Sequence, residues 1–194
     1  MSLSFALERI IREYPEAKGE PFPGHVLGAV IREGARREVK AALGPDNADL
    51  LVKGGCGRSA WAEVPWIAAF DPRVTRTVQR GTYVVYLFHA RTPIVHLSLV
   101  QGTLQVQRQF GPRAGAVLAE RGAFLRRRLA DLLGDFPVHT IELGSDRPLP
   151  SGYAAGHVMG FTYALATLPH DAILRRDLRV LVAAYRALPG APPA

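Results

Sequence analysis

The amino-acid sequence predicts an α+β domain, a mainly antiparallel sheet of four to six strands flanked by N-terminal and C-terminal helices. Three observations predict it. Apolar residues recur at helical spacing at both ends of the chain, β-branched and aromatic residues crowd the middle, and the links between the middle segments are short. At 194 residues, 48% of them hydrophobic and 21% charged, the chain fits one globular domain. That domain is expected over residues 1–188, with a Pro-rich tail or linker at 189–194.

Phe5, Leu7, Ile10, Ile11 and Tyr14 mark a first helix, which Pro15 is expected to end. Val26, Leu27, Val30, Ile31, Ala35 and Val39 mark a second, stopped after Leu43 by Gly44-Pro45. A short strand at 49–52 leads into Gly54-Gly55-Cys56-Gly57, expected to be a flexible loop. Residues 61–70, 83–89 and 94–101 read as three strands, separated by the turn-forming Asp71-Pro72, Arg80-Gly81 and Thr92-Pro93. Residues 104–110 are read as extending the sheet. A long helix over 112–133, ending at Gly134, carries Arg121, Arg126, Arg127 and Arg128, and 138–143 reads as another strand. Tyr153, Val158, Phe161, Tyr163 and Leu165 predict a helix reaching Thr167. A last helix follows Leu168-Pro169-His170-Asp171, with Ile173, Leu174, Leu178, Leu181, Val182 and Tyr185 on one face.

The net charge of +7 is unevenly placed. Residues 53–128 hold twelve Lys and Arg against three acids, a local +9, and the remainder sums to −2. Such clustering points to a polyanion-binding face, because neutralising phosphates releases counterions. The longest apolar runs, such as Tyr83-Val84-Val85-Tyr86-Leu87-Phe88, fall far short of the ~20 residues that cross a bilayer, so no membrane partner is expected. The first residues lack a basic segment followed by an apolar one, and a cytoplasmic location is expected.

The enzyme readings lack their chemistry. Cys56 is the only cysteine, which excludes an internal disulfide and a Cys-only metal cage, and no histidine lies nearby in sequence to activate it. The six histidines are scattered without His-Glu-x-x-His spacing, although His89 and His96 stand on adjacent expected strands. Neither a cofactor nor a metal is expected. The glycine run is followed by Arg58-Ser59 and a strand, not by Gly-Lys-Ser/Thr and a helix, so it offers no phosphate cradle for nucleotide hydrolysis. Glu16-Ala17-Lys18 and Glu38-Val39-Lys40 match half of a nuclease motif but have no aspartate upstream, the first being Asp46. The alternatives are a small metal-dependent nuclease, which requires Glu63, Asp71 and Glu142 to converge in three dimensions, and an RNA-binding or protein-interaction domain.

The glycine loop with Arg58, the Val64-Pro65-Trp66 strand, the Gly81-Thr82-Tyr83-Val84-Val85-Tyr86-Leu87 strand and Val95-His96-Leu97-Ser98-Leu99-Val100-Gln101-Gly102 stand in the order found in one known family. Leu168-Pro169, Asp177-Leu178 and Tyr185 continue the likeness. The chain resembles the N-terminal DNA-recognition domain of McrB-type, methylation-dependent restriction systems. The resemblance implies a non-catalytic module that binds double-stranded DNA containing modified cytosine, turns the base out of the duplex, and directs a downstream or partner nuclease or nucleotide-driven motor. Trp66, Tyr83 and Leu87 match the pocket strands, and Arg58 stands where the matching relative has an aromatic residue.

Ordinary roles compete with these. Trp61, Trp66, Tyr83 and Leu87 are also what a sheet core requires. Arg58, Arg73, Arg76 and Arg80 fall in expected loops at strand ends, where binding residues concentrate, and are the expected phosphate contacts. The expected DNA-binding set is therefore Arg58, Trp61, Trp66, Arg73, Arg76, Arg80, Tyr83 and Leu87.

Overall fold

The structure, a computed structural model, describes residues 2–133, 136–138 and 140–188. Its centre is a five-stranded antiparallel meander in the order β1-β2-β3-β4-β5. The strands are β1 (Leu51–Gly57), β2 (Trp61–Phe70), β3 (Thr82–Phe88), β4 (Ile94–Gln101) and β5 (His157–Ala164). Helix α1 (Leu3–Ala17) precedes the sheet and α7 (Asp171–Ala187) follows it, so the α+β class read from the sequence holds. The expected tail at 189–194 and the expected helix end at Gly134 lie outside the described residues.

Successive side chains along a strand point to opposite faces, and here both faces are covered. One face presents Ile67, Ala69, Val84, Tyr86, Phe88, Val95, Leu97 and Leu99 to the terminal helices. Leu7 and Ile10 of α1 and Leu174, Leu178 and Leu181 of α7 close that core. Between these helices runs α2 (Val26–Ala29), a π-helical turn (Val30–Ala35) and α3 (Arg36–Leu43). Asp171, in the first turn of α7, accepts hydrogen bonds from the backbone N–H of Ser4 at 2.7 Å and Leu3 at 3.4 Å. One carboxylate thus satisfies donors at the start of α1 and fastens the two ends of the chain together.

The second face presents Ala68, Phe70, Tyr83, Val85, Leu87 and Val100. Its cover comes from the long crossover between β4 and β5, which contains α4 (Thr103–Phe110), α5 (Ala114–Leu133) and α6 (Pro148–Gly156). Ile141, Leu143 and Tyr153 supply the apolar underside of that cover.

Several local expectations are overturned. The glycine run is part of β1, not a flexible loop: a Cβ at Gly54 would fall 2.3 Å from the Ile31 carbonyl oxygen, and one at Gly55 would fall 2.4 Å from Trp66 Cζ2. Close approach requires glycine there. Residues 104–110 lie in α4, whose Thr103 and Val106 turn inward at helical spacing, while the alternating glutamines imitate a strand. Among the described residues of the 138–143 segment, Val138 makes an isolated bridge to Gly160, and the carbonyls of Val138 and Glu142 turn to side chains of the sheet beneath. The expected helix through Val158 and Phe161 is β5, in which Met159 and Tyr163 join the helix-side core two and six positions on from His157. Helix α1 runs past an exposed Pro15 to Ala17.

Candidate nucleic-acid interface

At the β1–β2 edge of the second face the cover is incomplete. Trp66 is cross-strand neighbour to Gly55 on one side and Leu87 on the other. With no side chain at Gly55 to stop it, the half-buried indole leans across β1 and borders two clefts. One, of about 470 Å³, lies between β2 and the start of α6 and is lined by Trp61, Glu63, Val64, Arg147 and Pro148. The other, of about 420 Å³, lies over the β1 glycines beside Arg58, Val78, Thr103 and Leu104. Ala62, Trp66, Leu149 and Tyr153 border both. Each volume falls in the range of ligand sites, roughly 300–1,000 Å³. A third cleft of about 830 Å³ between the 71–81 loop and α4 shares Gln79 and Leu104 with the second. The three form one groove.

Its walls are held firmly. Tyr153, on α6, is buried, which pushes its hydroxyl up to about pH 12 and keeps it protonated. Thr103 is fully buried and its Oγ1 has no hydrogen-bond partner among the described residues, an arrangement that costs about 1–3 kcal/mol. The 71–81 loop is tied down along its length. Tyr83 Oη donates to the Val78 carbonyl at 2.9 Å, Lys53 Nζ to that of Arg76 at 2.7 Å, and the Gln105 N–H to that of Gln79 at 3.1 Å. Gly81 takes a positive φ of 72°, and a Cβ at Gly102 would fall 2.3 Å from the Arg80 backbone, so two glycines fix where Arg80 stands.

The cations divide sharply by partner. Arg73 clamps Asp71 through Nε at 2.9 Å and Nη2 at 2.6 Å, and that hydrogen bonding holds the Asp71 carboxyl below its usual range. Lys18 pairs with Glu63 at 3.2 Å, Arg186 with Asp49, and Arg175 with Asp171 at 3.2 Å. On α5, Arg126 donates to the Val158 carbonyl at 2.8 Å, while Arg121 and Arg128 lie over the rings of Phe110 and Phe124. By contrast, the exposed side chains of Arg58, Arg76, Arg80 and Arg108 have no ion pair or hydrogen bond among the described residues. Arg58, Arg80 and Arg108 line the groove.

The structure thus gathers four of the eight expected residues, Arg58, Trp61, Trp66 and Arg80, along the groove. Trp61 stands at its end and is largely committed elsewhere: its ring meets Phe22 edge-on at 4.9 Å and Tyr14 at 5.3 Å, and its Nε1 donates to the Glu20 carbonyl. Tyr83 and Leu87 lie fully buried beneath the floor. Arg73 and Arg76 stand on the 71–81 loop without lining the groove. Sequence reasoning missed Tyr153, Leu149 and Arg147, and also Thr103, Leu104 and Arg108. Pro148-Leu149-Pro150 was the available signal, a proline-primed helix start that displays a large apolar residue 51% exposed.

The acids required for a nuclease site stand apart. Glu63 faces Lys18, Asp71 is clamped by Arg73, and Glu142 borders a separate cleft with Arg91 and Asp146. Among the described residues, no group of three or more His, Cys, Asp or Glu side chains is placed to hold a metal ion. Cys56 is buried with Arg32 Nη1 at 3.3 Å from its sulfur, and burial pushes the thiol up. His96 is enclosed between Thr162 Oγ1 at 2.8 Å and the Glu142 carbonyl at 3.0 Å, with burial lowering it to about 4. Neither is free for chemistry.

The fold and the groove define a class: an α+β binding module whose groove, between the sheet and α6, sets an indole and a phenol among unpaired cations, as a polyanion with planar groups requires. The family model for the MrcB-like N-terminal domain matches residues 9–190, and the chain belongs to that family. Membership agrees with the McrB-type motifs and fits a DNA-binding module of a restriction system. No curated protein matches the chain. Among the described residues no helix is long and apolar enough to cross a membrane.

Proposed function

We propose that this domain recognises double-stranded DNA carrying a modified cytosine, receives the extruded base in the Trp66–Tyr153 cleft, and directs a nuclease or nucleotide-driven motor supplied downstream or by a partner chain. Catalysis is not its task. The observation that carries this reading is the groove itself, with Trp66 and Tyr153 shared by two clefts and unpaired Arg58 and Arg80 along its length.

An extruded base loses its stacking and needs an aromatic clamp, a wedge in the gap it leaves, and cations on the flanking phosphates. Trp66 and Tyr153 provide the clamp. Leu149, held on the rim between Pro148 and Pro150, is the apolar wedge, with Arg58 on the β1–β2 turn as its polar counterpart. Tyr83 and Leu87 act from below, Leu87 beside Trp66 on the next strand and Tyr83 by anchoring the loop at Val78. Arg58, Arg76 and Arg80 contact phosphates, and Arg73 stiffens the loop that carries two of them.

The test is a set of titrations against matched duplexes bearing cytosine, methylcytosine, hydroxymethylcytosine or methyladenine at fixed salt, with 2-aminopurine beside the target to report unstacking. Tighter binding of one modified cytosine, with a fluorescence rise, is expected. Equal affinity for all four duplexes, or cleavage that disappears when Glu63, Asp71 or Glu142 is replaced, would overturn the reading.

A further inference from the structure

We propose that α4 reads the identity of the bases beside the target nucleotide. The proposal rests on the duplex-binding reading above and assigns the third cleft, between α4 and the 71–81 loop, to sequence context. Gln105, Arg108 and Gln109 follow the i, i+3, i+4 spacing of one helix face, all are exposed, and all line this cleft. Gln79 and Arg80 line it from the loop side.

Three features favour base edges over phosphate alone. First, the chemistry is mixed. Three amides accompany two guanidiniums and no carboxylate lines the cleft. A glutamine pairs two-pronged with adenine N6 and N7, and an arginine with guanine O6 and N7, whereas phosphate attraction alone calls for cations. Second, these side chains are uncommitted, with no hydrogen bond or ion pair to another described residue. Third, the support is rigid. Thr103 and Val106 bury the opposite face of α4, Gln107 Nε2 donates to the Pro148 carbonyl at 3.0 Å, and the Gln105 N–H holds the loop at the Gln79 carbonyl. The rigid helix fixes the spacing of the stripe, so that on binding only side-chain rotamers remain to be ordered. Because Gln79 and Leu104 also border the cleft that contains Trp66, the bases met here are those adjoining the extruded one.

The experiment uses duplexes with one modified cytosine and randomised flanking pairs, bound by the wild type and by Gln105→Ala, Arg108→Ala, Arg108→Lys and Gln109→Ala variants. The wild type is expected to prefer particular flanking bases. Each alanine variant should lose about 5- to 100-fold on the preferred sequence and become indifferent at one position, while still distinguishing modified from unmodified cytosine. Arg108→Lys should keep the salt dependence and lose the preference. A uniform loss over all flanks, or no loss, overturns the proposal and leaves duplex binding standing. Absence of wild-type binding to any duplex overturns both. Thermal melts of the variants should match the wild type, since none of these side chains is buried.

Discussion

Replacing Arg73 and replacing Arg58 or Arg80 should leave opposite signatures, because one guanidinium is committed inside the protein and the others are not. Each phosphate contact contributes about 0.9 to the slope of log affinity against log salt, so between 50 and 200 mM each accounts for about 3.5-fold in affinity. An Arg58→Ala/Arg80→Ala double variant should therefore flatten the slope by about 1.8 and weaken the salt response over that interval by about 12-fold. Its melting temperature should not move. Arg73→Ala strips the main partner from an Asp71 carboxylate only 8% exposed, with Arg186 still 4.0 Å away. Arg73→Ala should therefore lower the melting temperature and leave the slope unchanged. Fluorescence anisotropy across the salt range and thermal melts read both quantities. A flattened slope with an unchanged melt for Arg73→Ala would refute the division of cations by partner.

Gly55→Ala places a methyl where the Trp66 ring lies, so the indole should shift, with about 1–3 kcal/mol of overpacking and a diminished 2-aminopurine signal. Gly54→Ala meets the Ile31 backbone instead and should lose the cooperative melt altogether. Thr103→Val removes a buried hydroxyl without a partner, so stability should hold or rise by about 1 kcal/mol in denaturant titrations. His96 titrates near 4 in the folded chain and near 6.5 when unfolded, so the unfolded state takes the proton first. Stability should then decline as pH falls below 6.5 and level off below 4, by about 3 kcal/mol in denaturant titrations, and His96→Gln should remove that component.

The sheet was legible because β2, β3 and β4 are bounded by turn formers and rich in β-branched and aromatic residues. The terminal helices were legible because their apolar stripes keep one period. The crossover was not. Gln105, Gln107 and Gln109 imitate strand alternation, and Val158 and Phe161 satisfy a helical period with Leu165 although β5 claims both. Only the neighbours decide such cases, since Gly160 must lie against the Leu97 backbone and Val106 must reach the small core beneath α5. The site divided along the same line. Arg58, Trp66 and Arg80 belong to elements read correctly or to their ends, whereas Tyr153, Thr103 and Arg108 come from the misread crossover.

That division bears on how specificity is built. The floor of the groove is sheet, and its residues answer to packing first: Tyr83 and Leu87 are wholly enclosed, and Gly54 and Gly55 are dictated by Ile31 and Trp66. Substitution there disturbs the fold before it alters a ligand. The opposing wall is the 102–156 crossover, which contributes Thr103, Arg108, Leu149 and Tyr153 and supports few residues of the main helix-side core. Arg108 and Leu149 can change at little cost in stability, because neither is buried. Discrimination among modified bases and flanking sequences should accordingly reside in the crossover, with attraction to the backbone in the β1–β2 and β2–β3 loops. Exchanging α4 and the first turn of α6 for those of a relative should transfer preference while leaving the salt slope of Arg58 and Arg80 in place; a transferred slope without a transferred preference would reverse the assignment.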